Sequence, residues 1–243
     1  RWLAWTDVGR VVCVSVLRVD GVTVRFGEVT AVDGVTLDVE PGVTGLIGPN
    51  GAGKTTLFDV VSGLRRPSAG RVVLDGADVT AKGPHQRSRL GVARTFQRLE
   101  VFGSLTVWEN VVVALESRRR SPRLADELLR RVGIAGWAGN QADTVPTGAA
   151  RLLELARALA TDPHLLLLDE PSSGLDRQET DAFGELLREL SAEGRAVVLV
   201  EHDMDLVMGY CDRVHVLNLG RLLTSGTPDE VRAHAGVREA YLG

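Results

Sequence analysis

Gly48-Pro49-Asn50-Gly51-Ala52-Gly53-Lys54-Thr55-Thr56 has the residue types and the spacing to hold a chain of phosphates. It fits G-x-x-x-x-G-K-[ST] in full. Glycines let backbone N–H groups turn inward on an anion with no Cβ in the way. Lys54 is placed to reach the β- and γ-phosphates, and the Thr55 hydroxyl to hold Mg²⁺. A second group, Leu165-Leu166-Leu167-Leu168-Asp169-Glu170, is an apolar run closed by two acids. It describes a buried strand ending at a polar edge, and in open α/β sheets ligands lie beyond the carboxyl ends of the strands. Asp169 suits Mg²⁺ held through its water shell. Glu170 suits the polarisation of a water for in-line attack on a γ-phosphate. Each group alone has a plainer reading, as a glycine-rich turn or as a strand with an acidic end. Together they point to a nucleoside triphosphate.

Such a loop works only between a strand and a helix. Val43-Thr44-Gly45-Leu46-Ile47 reads as the strand, and Thr56 to Val61 as the start of the helix, whose N-terminus adds a positive dipole end. Val19 to Phe26 alternates and reads as a strand, followed by Val35 to Val39. Arg71 to Leu74 ends at Asp75-Gly76, a hairpin signal. Gly91 to Gln97 reads as a further strand. The texture then becomes helical, over Thr106 to Leu115, Arg123 to Val132 and Ala149 to Ala160. Thr147 sits where the last of these needs an N-cap, and Arg151, Glu154 and Arg157 form its polar face. Strand and helix alternate again after residue 165: strands at Leu165–Leu168, Ala196–Val200 and Val214–Leu217, helices at Glu179–Leu190 and Met204–Gly209. Short continuous Leu and Val runs mark strands covered on both faces, hence a parallel α/β core.

The chain resembles the ATP-binding subunits of ABC transporters over about residues 19–243. The matching pieces come in the family's order: Phe26 where an aromatic stacks on adenine, the loop Gly48 to Thr56, Gln97 in Arg94-Thr95-Phe96-Gln97, the acids Asp169-Glu170, then Ser172-Ser173-Gly174-Leu175-Asp176 and His202 in Glu201-His202-Asp203. The resemblance implies a fold with a phosphate-loop NTPase core and a mostly parallel sheet. It also implies an N-terminal antiparallel β subdomain and a short inserted helical subdomain at about 98–160. It casts Gln97 as a sensor of Mg²⁺ and of the attacking water, Ser172–Asp176 as a loop crossing a dimer interface, and His202 as a switch touching γ-phosphate. Val200 to Met204, Val207 to Arg213, Gly91 to Gln97 and the ending Glu239-Ala240-Tyr241-Leu242-Gly243 resemble the branched-chain amino-acid uptake group. The implied protein binds ATP and Mg²⁺, pairs with a second ATPase subunit and drives membrane permease subunits from the cytoplasmic face. It is served indirectly by a solute-binding protein. The alternative readings of this chain are a non-transport ABC ATPase module acting on ribosomes or DNA, or a degenerate ATP-binding subunit of a heterodimer.

One stretch departs from the family's Leu-Ser-x-Gly-Gln signature, which closes over ATP on the opposite subunit. Here it reads Val145-Pro146-Thr147-Gly148-Ala149. Gly148 and the helix dipole remain as the contacts with that nucleotide, but Pro146 offers neither hydroxyl nor N–H. An active but slower site is expected, or a partner with a better signature. Val101 to Leu105 and Trp108 are candidates for the surface that meets the permease.

Composition sets the outer limits. The 243 residues are enough for one domain with a substantial core, and 44% apolar with 25% charged is ordinary for a globular protein. A net charge of −4 argues against a nucleic-acid partner. Cys13 and Cys211 form no metal-ligand spacing and suggest reduced thiols. His85, His164, His215 and His234 read as structural or surface residues. The first methionine is Met204, so the chain reads as trimmed or cut from a longer polypeptide, with residues 1–18 a tail or linker and a possible stump of a fused permease.

Overall fold

The computed structural model describes residues 15–242. Its first sheet has four strands in the order β2-β1-β4-β5: β1 (Leu17–Phe26), β2 (Val29–Val39), β4 (Ala69–Leu74) and β5 (Ala77–Asp78), all antiparallel. The second has six in the order β10-β9-β3-β8-β7-β6: β3 (Gly42–Ile47), β6 (Val92–Arg94), β7 (Leu165–Asp169), β8 (Ala196–Val200), β9 (Arg213–Asn218) and β10 (Arg221–Gly226). Five of these run parallel, and only β10 is antiparallel to its neighbour.

Helix α1 (Lys54–Ser62) follows the phosphate loop, and α2 (Pro84–Arg89) precedes β6. Three helices are inserted between β6 and β7: α3 (Val107–Ser117), α4 (Leu124–Arg131) and α5 (Thr147–Ala160). The chain ends with α6 (Arg177–Ala192), α7 (Met204–Tyr210), α8 (Pro228–Ala233) and α9 (Ala235–Leu242). This is the α/β class with a mostly parallel core sheet that the strand patterning implied.

Every residue of β3, β7 and β8 is buried, because the parallel sheet is covered on both faces. Alternation divides each strand between two cores. Leu166, Leu168, Val197 and Leu199 pack with α3 to α6, while Leu165, Leu167 and Val198 pack with α1 and the antiparallel sheet. The carboxyl ends of β3 and β7 therefore meet at one edge, held by hydrophobic burial on either side.

Local structure differs from the sequence expectations at four places. Strand β1 begins at Leu17, so residues 17 and 18 of the expected tail are strand, and Leu17 is buried; residues 1–14, Cys13 included, lie outside the described residues. Strand β2 begins at Val29 rather than Val35, because Phe26 pairs with Val29 across a tight turn. Strand β6 stops at Arg94 rather than Gln97. The Arg151 guanidinium takes the carbonyls of Phe96 (2.7 Å) and Gln97, which draws the chain away from the sheet. Finally, Pro146 occupies the N-cap of α5, with no side-chain cap, and Thr147 is the first helical residue. The Asp75-Gly76 turn does join β4 to β5, with φ of +48° and +77° at the two residues, the pairing a two-residue hairpin needs.

Candidate active site

The loop from Gly48 to Gly53 links buried β3 to α1. Gly48 has φ +152°, and a Cβ there would lie 2.1 Å from the Leu217 carbonyl oxygen. Gly53 has φ +101°, with a Cβ 2.5 Å from the Ala31 oxygen. Both glycines are thus required by close backbone approach. The first turn of α1 carries no acidic residue, so its N–H groups face the loop unopposed. The Lys54 ammonium is buried and donates to the Gly48 (2.6 Å) and Pro49 (3.1 Å) carbonyls. Burial pushes its pKa down, while the Glu170 and Asp169 carboxylates push it back up.

These residues form one wall of a cleft of about 380 Å³. Asn50 to Thr56 line that wall, and Gln97, Glu170 and His202 line the other. Glu170 stands just beyond β7 with φ +49°, a conformation that a glutamate rarely adopts. Its Oε1 accepts from Gln97 Nε2 (3.2 Å) and lies 3.1 Å from His202 Nε2. Three separate segments thus converge on one carboxylate oxygen. A carboxylate only accepts, so this contact places the imidazole proton on Nε2 when Glu170 is ionised.

Asp169 lies behind Glu170 and is almost wholly buried, its Oδ2 accepting from Arg94 Nη2 (3.3 Å). Burial raises its pKa; the Arg94 guanidinium opposes that, and Glu170 and Asp59 add to it. Its backbone N–H donates to Thr95 Oγ1 (3.2 Å).

Phe26 and Gly148 do not line this cleft, and for Gly148 the expected contact is with the nucleotide of an opposite subunit. Phe26 is exposed at the end of β1 and does not line the cleft; the Arg65 guanidinium covers one face of its ring at 4.2 Å. Gly148 is buried at the start of α5 against the chain's own loop, and a Cβ there would lie 2.8 Å from the Gly174 oxygen. Pro146 and Thr147 beside it are exposed.

Residues to which the sequence reading gave no part in the site do much of the positioning. Glu201 is buried, accepts from Ser172 N–H (2.8 Å) and from His202 N–H (3.1 Å), and so joins the loop after β7 to the loop after β8. Arg151, Glu154 and Arg157 hold the segment containing Gln97: Glu154 Oε1 accepts from Glu100 N–H (2.8 Å), and Arg157 donates to the Glu100 carbonyl. An acid directly after the apolar run Ala196–Val200 was the available signal for Glu201. Helical spacing marks the three α5 residues as a polar face, but nothing local marks the segment they hold.

With this geometry in place, similarity to known proteins is decisive. The sequence profile of the ABC transporter family matches residues 32–173. This chain belongs to the ABC transporter family. A profile for the branched-chain amino acid ATP-binding cassette transporter matches residues 221–243. The chain is 41% identical to the high-affinity branched-chain amino acid transport ATP-binding protein BraF of Pseudomonas aeruginosa, covering 94% of this chain and 98% of that protein. It is 39% identical to LivG of Escherichia coli, of the same description, covering 93% and 97%. A crystal structure of an ATP-binding cassette of an ABC transporter in its ADP conformation superposes with a TM-score of 0.84 at 29% identity, covering 94% of this cassette and 99% of that one.

Proposed function

We propose that this chain is the ATP-hydrolysing subunit of a membrane importer for branched-chain or related amino acids. The observation that carries the reading is the meeting of Gln97, Glu170 and His202 across one cleft from Lys54 and Thr55. The loop from Gly48 to Thr56 cradles the phosphates, with Lys54 released from its own carbonyls to reach the β- and γ-oxygens. Glu170 orients a water and accepts its proton, while Gln97 holds that carboxylate and the water in line. His202 and Lys54 donate to the charge that develops on the γ-phosphoryl oxygens. The Thr55 hydroxyl and the Asp169 carboxylate, with Gln97 as a neutral oxygen donor, are hard ligands that fit Mg²⁺. When bound there, that ion neutralises phosphate charge.

Glu170→Gln tests this directly. Hydrolysis should fall at least a hundredfold with ATP affinity kept within about threefold. Unchanged turnover would overturn the assignment.

In this reading the cassette works as a head-to-tail dimer, with α5 of a partner covering each cleft and Phe26 stacking on adenine with its open face. It sits on permease subunits at the cytoplasmic face of the membrane, and these receive solute from a binding protein. A groove of about 390 Å³ between α1, β6, α3 and α5 offers a seat for the permease, with Phe96, Phe102 and Val113 in its lining. Phe102 is 46% exposed there, under the Arg157 guanidinium at 4.7 Å. Val101 and Trp108, two of the other candidates, pack instead against the core. Among the described residues no helix is long and apolar enough to cross a membrane. Peripheral attachment through the groove is the proposed route to the membrane. Copurification with a permease is the expected result; copurification with ribosomes or DNA would overturn the transport reading.

A further inference from the structure

We propose that Arg94 is a positioning residue that sets how tightly the site holds its divalent cation, by locking Asp169 to the helix that carries Thr55. The inference rests on reading the cleft as a Mg²⁺–triphosphate site.

Arg94 closes β6, opposite Leu167 of β7. Its side chain is 6% exposed and makes three polar contacts: Nη1 to Asp59 Oδ1 (2.7 Å), Nη1 to Ser62 Oγ (3.1 Å) and Nη2 to Asp169 Oδ2 (3.3 Å). The rings of Phe58 and Phe96 flank the guanidinium at 5.6 and 5.0 Å. One buried cation therefore ties together α1, β6 and β7.

The placement matters for the cation. Thr55 and Asp59 are four residues apart on α1 and share a face of the helix. Arg94 spans from that face to the Asp169 carboxylate, so it fixes the separation of the two oxygen donors offered to the metal. It takes Oδ2 of Asp169 and leaves Oδ1 its lone pairs for a hydrated ion. A planar guanidinium fork holds donors in fixed directions toward two carboxylates and a hydroxyl; a lysine ammonium is a point charge on a flexible stem. Partners that orient a metal-bound carboxylate without touching the metal typically contribute 10- to 100-fold in metal affinity.

The test uses Mn²⁺ as the probe, bound to the purified chain saturated with a non-hydrolysable ATP analogue and read by electron paramagnetic resonance. Arg94→Met should weaken Mn²⁺ at least about tenfold. Affinity for the analogue in EDTA, followed by fluorescence, should stay within about twofold of wild type, since no Arg94 contact reaches the phosphate loop. Arg94→Lys should recover part of the loss. An unchanged Mn²⁺ affinity, or an equal fall in analogue affinity in EDTA, overturns the proposal, the latter by showing a general structural lesion. If Arg94→Met does not fold, Asp59→Asn loosens the outer anchor alone and should weaken Mn²⁺ about threefold with the same EDTA control; no change in that variant overturns the proposal as well. A wild-type chain that binds no ATP analogue would instead remove the triphosphate reading on which this one stands.

Discussion

Gly48 and Gly51 belong to one loop, yet a side chain meets opposite surroundings at the two positions. At Gly48 a Cβ would run into the Leu217 carbonyl oxygen at 2.1 Å, whereas at Gly51, with φ +77°, nothing lies within 4 Å. Gly48→Ala should therefore destabilise the fold by about 3 kcal/mol and abolish ATP binding. Gly51→Ala should cost about 1 kcal/mol, the strain of a left-handed alanine, with binding retained. Thermal unfolding and nucleotide titration of the pair check this, and equal losses would refute it. Which glycines in the loop are indispensable was not readable from the pattern, because the obstructing oxygen at Gly48 comes from a residue far along the chain. The same holds for Glu170. Its type and place after four leucines announced an acid at a strand end, but its bonding to both Gln97 and His202 depends on how three loops meet.

At the scale of elements, α5 shows where periodicity falls short. Arg151, Glu154 and Arg157 lie on one face at helical spacing and read as a polar face. Glu154 is instead 6% exposed, and burial raises its pKa against the opposing Glu100 N–H and Arg151. The stripe is polar because the segment Phe96–Glu100 needs partners for its backbone groups. Period alone reports that a face is polar and is silent on what it faces.

His215 is a second such element-level joint. Its Nε2 lies 3.1 Å from the Asp38 carbonyl and Nδ1 lies 2.6 Å from Ser225 Oγ, which ties β9 to β10 and to the antiparallel sheet. The carbonyl can only accept, so Nε2 carries the proton and Nδ1 accepts from the hydroxyl. Burial lowers this histidine's pKa from the ordinary 6.5. Below that value the unfolded chain takes up a proton that the folded chain resists, so stability falls as pH drops from 6.5 toward the lowered folded pKa. Above 6.5 the contribution is fully present. His215→Asn should flatten this part of the acid limb in denaturant titrations across pH 5–7, and an unaltered limb would assign it to other groups.

For the whole molecule, the cleft is proposed to supply one half of an ATPase site and a partner's α5 the other. Pro146 and Thr147 stand exposed at that helix start, with no side-chain cap. A serine at 146 adds a hydroxyl that can donate to a facing phosphate, a charge-assisted bond of about 1.5–3 kcal/mol. Pro146→Ser in the Glu170→Gln background should strengthen ATP-dependent dimerisation about tenfold or more by analytical ultracentrifugation. No change would place the contact elsewhere on the helix.

What the amino-acid sequence determined alone is whatever depends on near neighbours. The phosphate loop, the acids ending β7 and the order of the nucleotide motifs are readable there because backbone freedom, strand burial and chemical type act within a few residues. Tertiary structure decided the rest. It buried Gly148 under the Gly174 loop and placed Arg65 on Phe26. It also aimed α5 at Gln97's segment and put Arg94 between two acids far apart in sequence. Those contacts follow from packing helices onto both faces of one sheet, which brings distant segments to a common edge and leaves no local mark in the sequence of any of them.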